Sequence, residues 1–274
     1  MESLTRTHTP HPAFGHGAAQ ALVHEACAVC GADKPCVPNL FNGTDAHLFD
    51  CVSSGRRRIA RNATLCREND KFNMLYVVRF GQFKVLRRDP AGALRVVKFH
   101  MQGDLIGLDA IASGRHAAGV MALEDSEVCE ISFVQLQRAM ASAAQLCEQF
   151  IKTMSDALRE QHERSTLLSL SSLDERFASF LLSLSAKYGR RGYSSRSFRL
   201  AMSRSDIGSY LGTTVETVSR LIARFNAQRA VLIERRMVQL LDRQKLIAMI
   251  DNTASDRLPA PAPREKAAAL APVH

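Results

Sequence analysis

Long apolar runs are missing from this chain of 274 residues. There is no stretch of eighteen apolar residues, which argues against a membrane-spanning helix. The first residues contain one arginine and lack the apolar segment of a secretory signal peptide, so we expect a cytosolic protein. Apolar residues still make up 46% of the sequence, which is ample for a buried core.

The motifs of common enzyme and electron-carrier classes are absent too. The sequence has no glycine-rich nucleotide-binding motif, no recognisable pairing of a nucleophile with a base, and no second set of four cysteines. We therefore expect a protein that is not an enzyme. Its seven cysteines point to metal or redox chemistry, because structural disulfides are rare in the cytosol.

Positive charge is concentrated in one part of the chain. Residues 173–250 contain 14 Lys and Arg but only 6 Asp and Glu, a net charge of +8, whereas the whole chain has +9. A basic segment beside a nearly neutral remainder is typical of a domain that binds nucleic-acid phosphates.

The basic segment contains two short helical patterns around a glycine. Ser203, with Asp206 three positions later, predicts a capping box at the start of the first helix. Gly212 suits the left-handed residue that ends this helix, and Thr213 or Thr214 can cap the second one. The pattern predicts a helix-turn-helix motif, whose second helix presents its first residues to base edges.

The second helix has one apolar and one polar face. Glu216 could simply complete a capping box with Thr213, and paired helices around a glycine also occur in enzymes. The charge of the segment favours DNA over these alternatives. The apolar face consists of Val215, Val218, Leu221, Ile222 and Phe225, and the polar face carries Glu216, Ser219, Arg220 and Arg224.

Three cysteines lie within ten residues near the N-terminus. Cys27, Cys30 and Cys36 are interspersed with glycine and proline, which predicts a loop able to surround a metal centre. Thiolates are soft ligands that select zinc or an iron–sulfur cluster. Three ligands leave a four-coordinate site one short. The candidates for the fourth ligand are Cys51, Cys66, Cys129 and Cys147.

Residues 40–55 predict a helix, and residues 56–133 predict short strands with turns about every 8–12 residues, as in a compact β-barrel or β-roll. In the last strand Cys129 shares a face with Ile131 and Phe133. Burial in a core is the common fate of such a cysteine, so the strand pattern alone does not make Cys129 a ligand.

Residues 136–170 predict one long helix. Apolar residues recur there at alternating steps of four and three, a period of about 3.5 that is typical of a coiled-coil seam. A core helix packed on the strands is the alternative, but helix-turn-helix proteins usually read paired half-sites, which favours a dimer helix. The seam consists of Met140, Ala144, Cys147, Ile151, Met154 and Leu158, and it continues through the polar Gln161 and Ser165 to Leu168.

The remaining segments complete an α+β protein. Residues 173–188 predict an amphipathic helix, 198–202 a short strand and 232–241 a two-stranded wing. The expected domains are a disordered tail (1–24), a cysteine loop with the roll (25–135), the dimer helix (136–170), a winged helix-turn-helix domain (171–250) and a second disordered tail (251–274).

Five stretches carry a resemblance to a known family. They are Cys27-x2-Cys30-x5-Cys36-Val-Pro, Gly103-Asp-Leu-Ile-Gly-Leu-Asp-Ala-Ile, Glu124-Asp-Ser-Glu-Val-Cys129-Glu-Ile, Phe198-Arg-Leu-Ala-Met-Ser-Arg-Ser-Asp-Ile-Gly and Val215-Glu-Thr-Val-Ser-Arg-Leu. Over roughly residues 25–250 the chain resembles the CRP/FNR superfamily of transcription factors, and within it the FNR type, the fumarate and nitrate reduction regulators. The resemblance implies a cyclic-nucleotide-binding-like β-roll, a long dimerisation helix and a C-terminal winged helix-turn-helix domain.

The resemblance also implies that Cys27, Cys30, Cys36 and Cys129 ligate one [4Fe–4S] cluster. In proteins of this type the cluster stabilises the homodimer without oxygen, and oxygen converts it to [2Fe–2S] and then degrades it. A difference of a few kcal/mol between monomer and dimer is enough to switch DNA occupancy. The expected function is therefore oxygen-responsive regulation of transcription.

The same resemblance implies contacts with double-stranded DNA and RNA polymerase. Glu216, Ser219 and Arg220 occupy the positions that read bases, in sites like TTGAT-N4-ATCAA; arginine can bind guanine and glutamate can accept from cytosine N4. The turn Arg88-Asp-Pro-Ala-Gly resembles, with a different sequence, a surface that touches RNA polymerase. Arg224 is expected at a phosphate, and Thr214 and Thr217 are further candidate contacts.

The chain departs from cyclic-nucleotide-binding members of the superfamily. Those members carry a glutamate directly after Gly-Asp-x-x-Gly and an Arg-Ser pair downstream. Here Leu108 follows Gly107, and His116 follows Arg115, so we predict no cyclic-nucleotide binding. Two alternatives remain: a regulator with a zinc site, and a nitric-oxide or redox sensor of the same fold.

Overall fold

The computed structural model describes residues 53–170 and 172–255. Strands come first in the chain, and most helices follow. The strands are β1 (Ser53–Ile59), β2 (Thr64–Cys66), β3 (Met74–Phe80), β4 (Phe83–Arg88), β5 (Leu94–His100), β6 (Leu105–Ile106), β7 (Gly119–Ala122), β8 (Ser126–Ser132), β9 (Ser197–Arg199), β10 (Val231–Glu234) and β11 (Met237–Leu240). The helices are α1 (Phe133–Ser142), α2 (Ala144–Ser169), α3 (Leu173–Arg190), α4 (Arg204–Leu211), α5 (Val215–Ala227) and α6 (Arg243–Ser255).

The described chain forms two compact units. The first contains residues 53–164 together with Ala201–Tyr210, and the second contains the other described residues. The predicted cysteine loop, with Cys27, Cys30 and Cys36, lies outside the described residues, as do Cys51, the first tail and most of the second. Helix α6 ends at Ser255, five residues beyond the predicted domain boundary at 250.

Two four-stranded antiparallel sheets build the first unit, in the orders β1-β8-β3-β6 and β2-β7-β4-β5. Gly81 joins a strand of one sheet to a strand of the other with a φ of 84°, and a Cβ atom there would lie 2.1 Å from the Ser126 hydroxyl. Only glycine fits this crossing. Apolar side chains of both sheets, including Val78, Phe83 and Val128, form a common core. The predicted β-roll is confirmed.

The sheet that contains β8 has a second buried face, which is covered by helices. Cys129 and Ile131 on β8 pack in one cluster with Leu136 of α1 and with Leu146 and Phe150 of α2. Because successive side chains of a strand point to opposite faces, the neighbouring Val128 packs in the core between the two sheets. The predicted division of the two faces of β8 is thus confirmed, and Cys129 faces the helices.

The prediction of one long helix over 136–170 is wrong at its beginning. The chain is extended at Ala143, with φ −130° and ψ 94°, so α1 and α2 are separate helices. The physical reason is packing. Leu136 and Leu146 would be about 15 Å apart along one helix axis, yet both belong to the cluster around Cys129.

The prediction of a helix over 40–55 fails at residues 53–55, where β1 begins. Strand β1 is an edge strand paired with β8, and its arginines are matched by carboxylates across the sheet. Arg57 lies 3.0 Å from Glu130, and Glu127 lies 3.3 Å from Arg58 and 2.8 Å from Arg79. Opposite charges on neighbouring strands contribute to the stability of a sheet.

The second unit contains α3, α5, α6 and the predicted wing. Strands β10 and β11 form the wing as an antiparallel pair, and β9 adds a third strand to β11. Phe177 of α3 and Phe225 of α5 meet edge to face at 5.1 Å, and both are fully buried. Among the described helices, none combines the length and apolarity required to cross a bilayer.

Candidate nucleic-acid interface and cysteine site

Local interactions define both ends of helix α4. Ser203 Oγ accepts from the backbone amide of Asp206 at 3.1 Å, and Asp206 Oδ2 accepts from the amide of Ser203 at 3.0 Å. This is the predicted capping box. Gly212 ends α4 with a φ of 73°. The Leu211 carbonyl accepts a hydrogen bond from Arg176 of α3 at 3.3 Å, a contact within the second unit.

Helix α5 begins after Thr214, which settles the choice between Thr213 and Thr214 as its N-cap. Thr214 Oγ1 accepts from the Thr217 amide at 3.3 Å and lies 3.2 Å from the Thr217 hydroxyl. Both threonines predicted as DNA contacts therefore also shape the start of the helix. Four predicted apolar residues, Val218, Leu221, Ile222 and Phe225, are buried, whereas Val215 is 40% exposed.

The predicted base-reading residues lie on the other side of α5. Glu216 and Arg220 are exposed, and Ser219 is half-buried and donates to the Val215 carbonyl at 2.9 Å. Hydrogen bonds from its own amide and from the Thr214 hydroxyl lower the pKa of Glu216, so this carboxyl stays ionised at neutral pH. Arg220 Nη2 lies 3.4 Å from Thr217 Oγ1. The first turns of α5 thus expose a negatively charged hydrogen-bond acceptor, Glu216, and a positively charged donor, Arg220.

Arg224, predicted as a phosphate contact, has a partner within the protein. Its Nε and Nη2 donate to Asp174 Oδ1 of α3, at 3.1 Å and 2.5 Å. Asp174 was missed by sequence reasoning, because the two residues are 50 positions apart and no local pattern joins them.

Cys129 is 4% exposed on the helix-covered face of β8. Elsewhere in the first unit Cys66 is also buried; burial, followed by the charges of Asp109 and Asp70, raises its pKa to about 12. Cys147 of α2 is half-buried. Within residues 53–170 and 172–255, no three His, Cys, Asp or Glu side chains are grouped so as to hold a metal ion.

Two family models match the chain in the order of its two parts. The cyclic nucleotide-binding domain matches residues 56–143, and the Crp-like helix-turn-helix domain matches residues 175–249. The fumarate and nitrate reduction regulatory protein of Escherichia coli K12 is 34% identical over 227 residues, which cover 83% of this chain and 91% of that protein. The chain belongs to the CRP/FNR family.

Two further proteins are similar to this chain over most of their length. The transcriptional regulatory protein btr of Bordetella pertussis is 37% identical over 216 residues, which cover 79% of this chain and 89% of that protein. The solved structure of FixK2 from Bradyrhizobium japonicum has a TM-score of 0.65 at 26% identity, and the match covers 72% of this chain and 97% of that one. This chain is accordingly a transcriptional regulator with a helix-turn-helix DNA-binding domain, and not an enzyme.

The residues predicted for dimerisation divide into two groups in this CRP/FNR protein. Met140 lies on α1, before the break at Ala143, and packs against the cluster that contains Cys129. On α2 Ala144 is exposed and Cys147 half-buried. The remaining residues of the predicted seam, Ile151, Met154 and Leu158, are 61%, 38% and 58% exposed.

Proposed function

We propose that this CRP/FNR protein is an oxygen-responsive regulator of the cytoplasm that binds palindromic double-stranded DNA as a homodimer when it carries a [4Fe–4S] cluster. The position of Cys129 carries the proposal. This thiol shares a cluster with Leu146 and Phe150 of α2, and the next residue, Ile151, belongs to the exposed apolar seam. A ligand at Cys129 therefore packs against the inner face of the proposed dimer helix, whose outer face carries the seam.

The donor set fits an iron–sulfur cluster. We assign Cys129 as one ligand and Cys27, Cys30 and Cys36, which precede the described residues, as the other three. Thiolates are the ligands that such clusters require, and the cluster would supply the group that reacts with oxygen. Cys66 fits poorly as a ligand, because it packs in the core between the two sheets, whereas Cys129 lies on the helix-covered face of β8.

The exposed seam of α2 supports the homodimer. Ile151, Met154 and Leu158 are spaced as in a coiled-coil seam, and each leaves a large apolar surface in water. A second copy of the same helix would cover that surface. Two copies of α5 would then be available for the two halves of a palindrome, with Glu216, Ser219 and Arg220 at the bases.

The RNA polymerase contact is proposed for the turn between β4 and β5. Its backbone is fixed by Asp89, whose Oδ1 accepts from the Ala93 amide at 2.9 Å and whose Oδ2 pairs with Arg95 at 2.9 Å. The turn is thus an ordered and exposed feature of the surface, as a recognition site for a protein partner requires.

Anaerobic purification tests the proposal. We expect about four iron and four acid-labile sulfide per subunit, a visible absorption band that bleaches in air, and a parallel loss of DNA binding. Zinc in place of iron, or equal DNA binding before and after air, would leave a CRP/FNR regulator without an oxygen sensor. Nitric oxide, added anaerobically in a separate experiment, distinguishes a nitric-oxide sensor from an oxygen sensor.

We propose further that the roll does not bind cyclic nucleotides, although its family model is named for them. Arg115, which is followed by His116 and not by the serine of the family's Arg-Ser pair, donates to the Asn69 carbonyl at 2.8 Å and is exposed. Its neighbour His116 is buried and meets Phe72 edge to face at 5.8 Å. The expected result is no change in melting temperature with cyclic AMP or cyclic GMP; a saturable increase would overturn this proposal.

A further inference from the structure

Helix α4, the first helix of the helix-turn-helix motif, contacts strands β4 and β5 within the first compact unit. Lys84 of β4 places its Nζ 2.7 Å from Asp206 Oδ1. One turn further along α4, the hydroxyl of Ser209 accepts a hydrogen bond from the backbone amide of Val96 at 2.9 Å. Asp206 and Ser209 are three residues apart and therefore share one face of the helix.

The next residue of α4 extends this contact with an aromatic ring. Tyr210 lies 5.1 Å from the ring of Phe99 on β5, and the guanidinium of Arg164 lies over its ring at 5.1 Å. Arg164 also donates to the Val96 carbonyl at 3.3 Å. The two strands and the end of α2 in this unit thus converge on one face of α4, which we call the hairpin docking site: Lys84, Val96, Phe99 and Arg164.

The ion pair at the docking site is largely shielded from water. The side chains of Lys84 and Asp206 are 18% and 12% exposed. Burial opposes the ionisation of Asp206, but hydrogen bonds from Lys84 and Ser203 outweigh it and lower the pKa of this carboxyl. Removal of one partner from a shielded pair leaves the other charge poorly solvated, so this contact resists separation.

The docked face is not the face through which α4 would meet DNA. In a helix-turn-helix the first helix crosses the sugar–phosphate backbone, and the start of α4, Arg204 and Ser205, is exposed. Two base-reading candidates of α5, Glu216 and Arg220, are exposed as well. The contact therefore leaves these exposed residues accessible to DNA. It can position the motif without blocking it.

We infer that the hairpin docking site fixes α4 on the roll and so holds the two reading motifs of a dimer at the spacing of the two half-sites. The inference rests on the DNA-binding homodimer proposed above. Two motifs that are already aligned lose less conformational freedom when both half-sites are filled, so docking would strengthen binding to a whole palindrome and not to a single half-site.

The test compares a full palindrome, TTGAT-N4-ATCAA, with a duplex in which one half is scrambled. Lys84→Met removes the ion pair but keeps the apolar stem, and Ser209→Ala removes the hydrogen bond to Val96. Lys71→Met is the matched control, because Lys71 is an exposed lysine of the same unit outside the docking site. For each docking variant we expect about tenfold weaker binding to the full palindrome, with half-site binding within about twofold of the wild type.

Amide hydrogen exchange of the full-length protein gives a readout that does not depend on DNA. Residues 204–211 should exchange faster in both docking variants than in the wild type, whereas Lys71→Met should leave them unchanged. Unchanged exchange of α4, or an unchanged ratio of full-site to half-site affinity, overturns the inference. A wild-type protein that shows no preference for the full palindrome contradicts the proposed dimer instead, and the exchange experiment still decides whether α4 is docked.

Discussion

Arg224 and Asp174 form an ion pair in which a single carboxylate oxygen, Oδ1, accepts from both Nε and Nη2 of the guanidinium. Asp174 lies in the first turn of α3, where the helix dipole favours a negative charge. The two side chains are 50% and 41% exposed, so the pair contributes little to stability. Its main effect is to neutralise one positive charge of the recognition helix.

Asp174→Asn should therefore strengthen DNA binding without changing its sequence preference. The substitution releases Arg224 for a phosphate, and we expect about three- to tenfold tighter binding to cognate and scrambled DNA alike, with a salt slope steeper by about one. Fluorescence anisotropy over a range of salt concentrations measures both. Asp156→Asn on α2 makes the same change in net charge outside the winged-helix domain and serves as the control; equal effects of both variants would contradict a role for Arg224.

Arg220→Ala should reduce specificity. Loss of a bidentate hydrogen-bonded contact with guanine should reduce the binding free energy by about 1–3 kcal/mol at the cognate site and by much less on scrambled DNA. Competition binding with single-base variants of the palindrome locates the base that is affected. Arg243→Ala at the start of α6 removes the same charge and should leave discrimination unchanged. A uniform loss across all sequences in Arg220→Ala would indicate a phosphate contact instead.

Cys129→Ala and Cys66→Ala form a matched pair for the cluster. Both thiols are buried in the roll, but only Cys129 faces α1 and α2. We expect Cys129→Ala to abolish cluster assembly and Cys66→Ala, whose thiol packs in the core between the sheets, to keep about four iron per subunit. Iron and sulfide analysis of anaerobic protein decides between them. Full loading of the Cys129 variant would remove this residue from the ligand set.

Ile151→Glu should dissociate the homodimer. Burial of one isoleucine at the interface stabilises the dimer by about 1.5–3 kcal/mol. Because the substitution is present in both subunits, this contribution is lost twice, and the dimer dissociation constant should rise by about 100-fold or more. Sedimentation equilibrium measures it. Gln145→Glu introduces the same charge at an exposed position of α2 that is neither three nor four residues from a seam residue, and it should leave the constant near that of the wild type. A dimer that survives Ile151→Glu would place the interface elsewhere.

His100 should make the roll less stable in mild acid. Burial lowers the pKa of this histidine, with Lys98 acting in the same direction and Asp104 and Glu160 opposing it. The unfolded chain therefore binds the proton more readily than the folded one, so the contribution of His100 is complete above about pH 6.5 and is lost as the pH falls towards the folded pKa. Urea unfolding at pH 7.5 and 5.5 should show a smaller decrease for His100→Gln than for the wild type. His162→Gln, at an exposed histidine of α2, is the control.

Sequence patterns correctly predicted the elements that depend on interactions between residues close together in the chain. The capping box of Ser203 and Asp206 and the left-handed Gly212 are interactions between near neighbours, so the sequence around them is sufficient. Turns and alternating residues predicted the roll and the wing for the same reason.

Interactions between distant residues could not be predicted in this way. The break at Ala143 occurs at a good helix former, with no glycine or proline to mark it, because the packing of Leu136 and Leu146 in one cluster decides it. Lys84 and Asp206 are separated by 122 positions, and nothing in either neighbourhood indicates the other.

Phe150 and Ile151 are consecutive residues of α2 with opposite environments: one is 8% exposed in the cluster with Cys129, and the other is 61% exposed in the seam. A change in the packing of the cluster therefore acts on the same short stretch of backbone that presents the seam. Mutations at the two positions should be strongly non-additive, so the inner and outer surfaces of this helix cannot change independently during evolution.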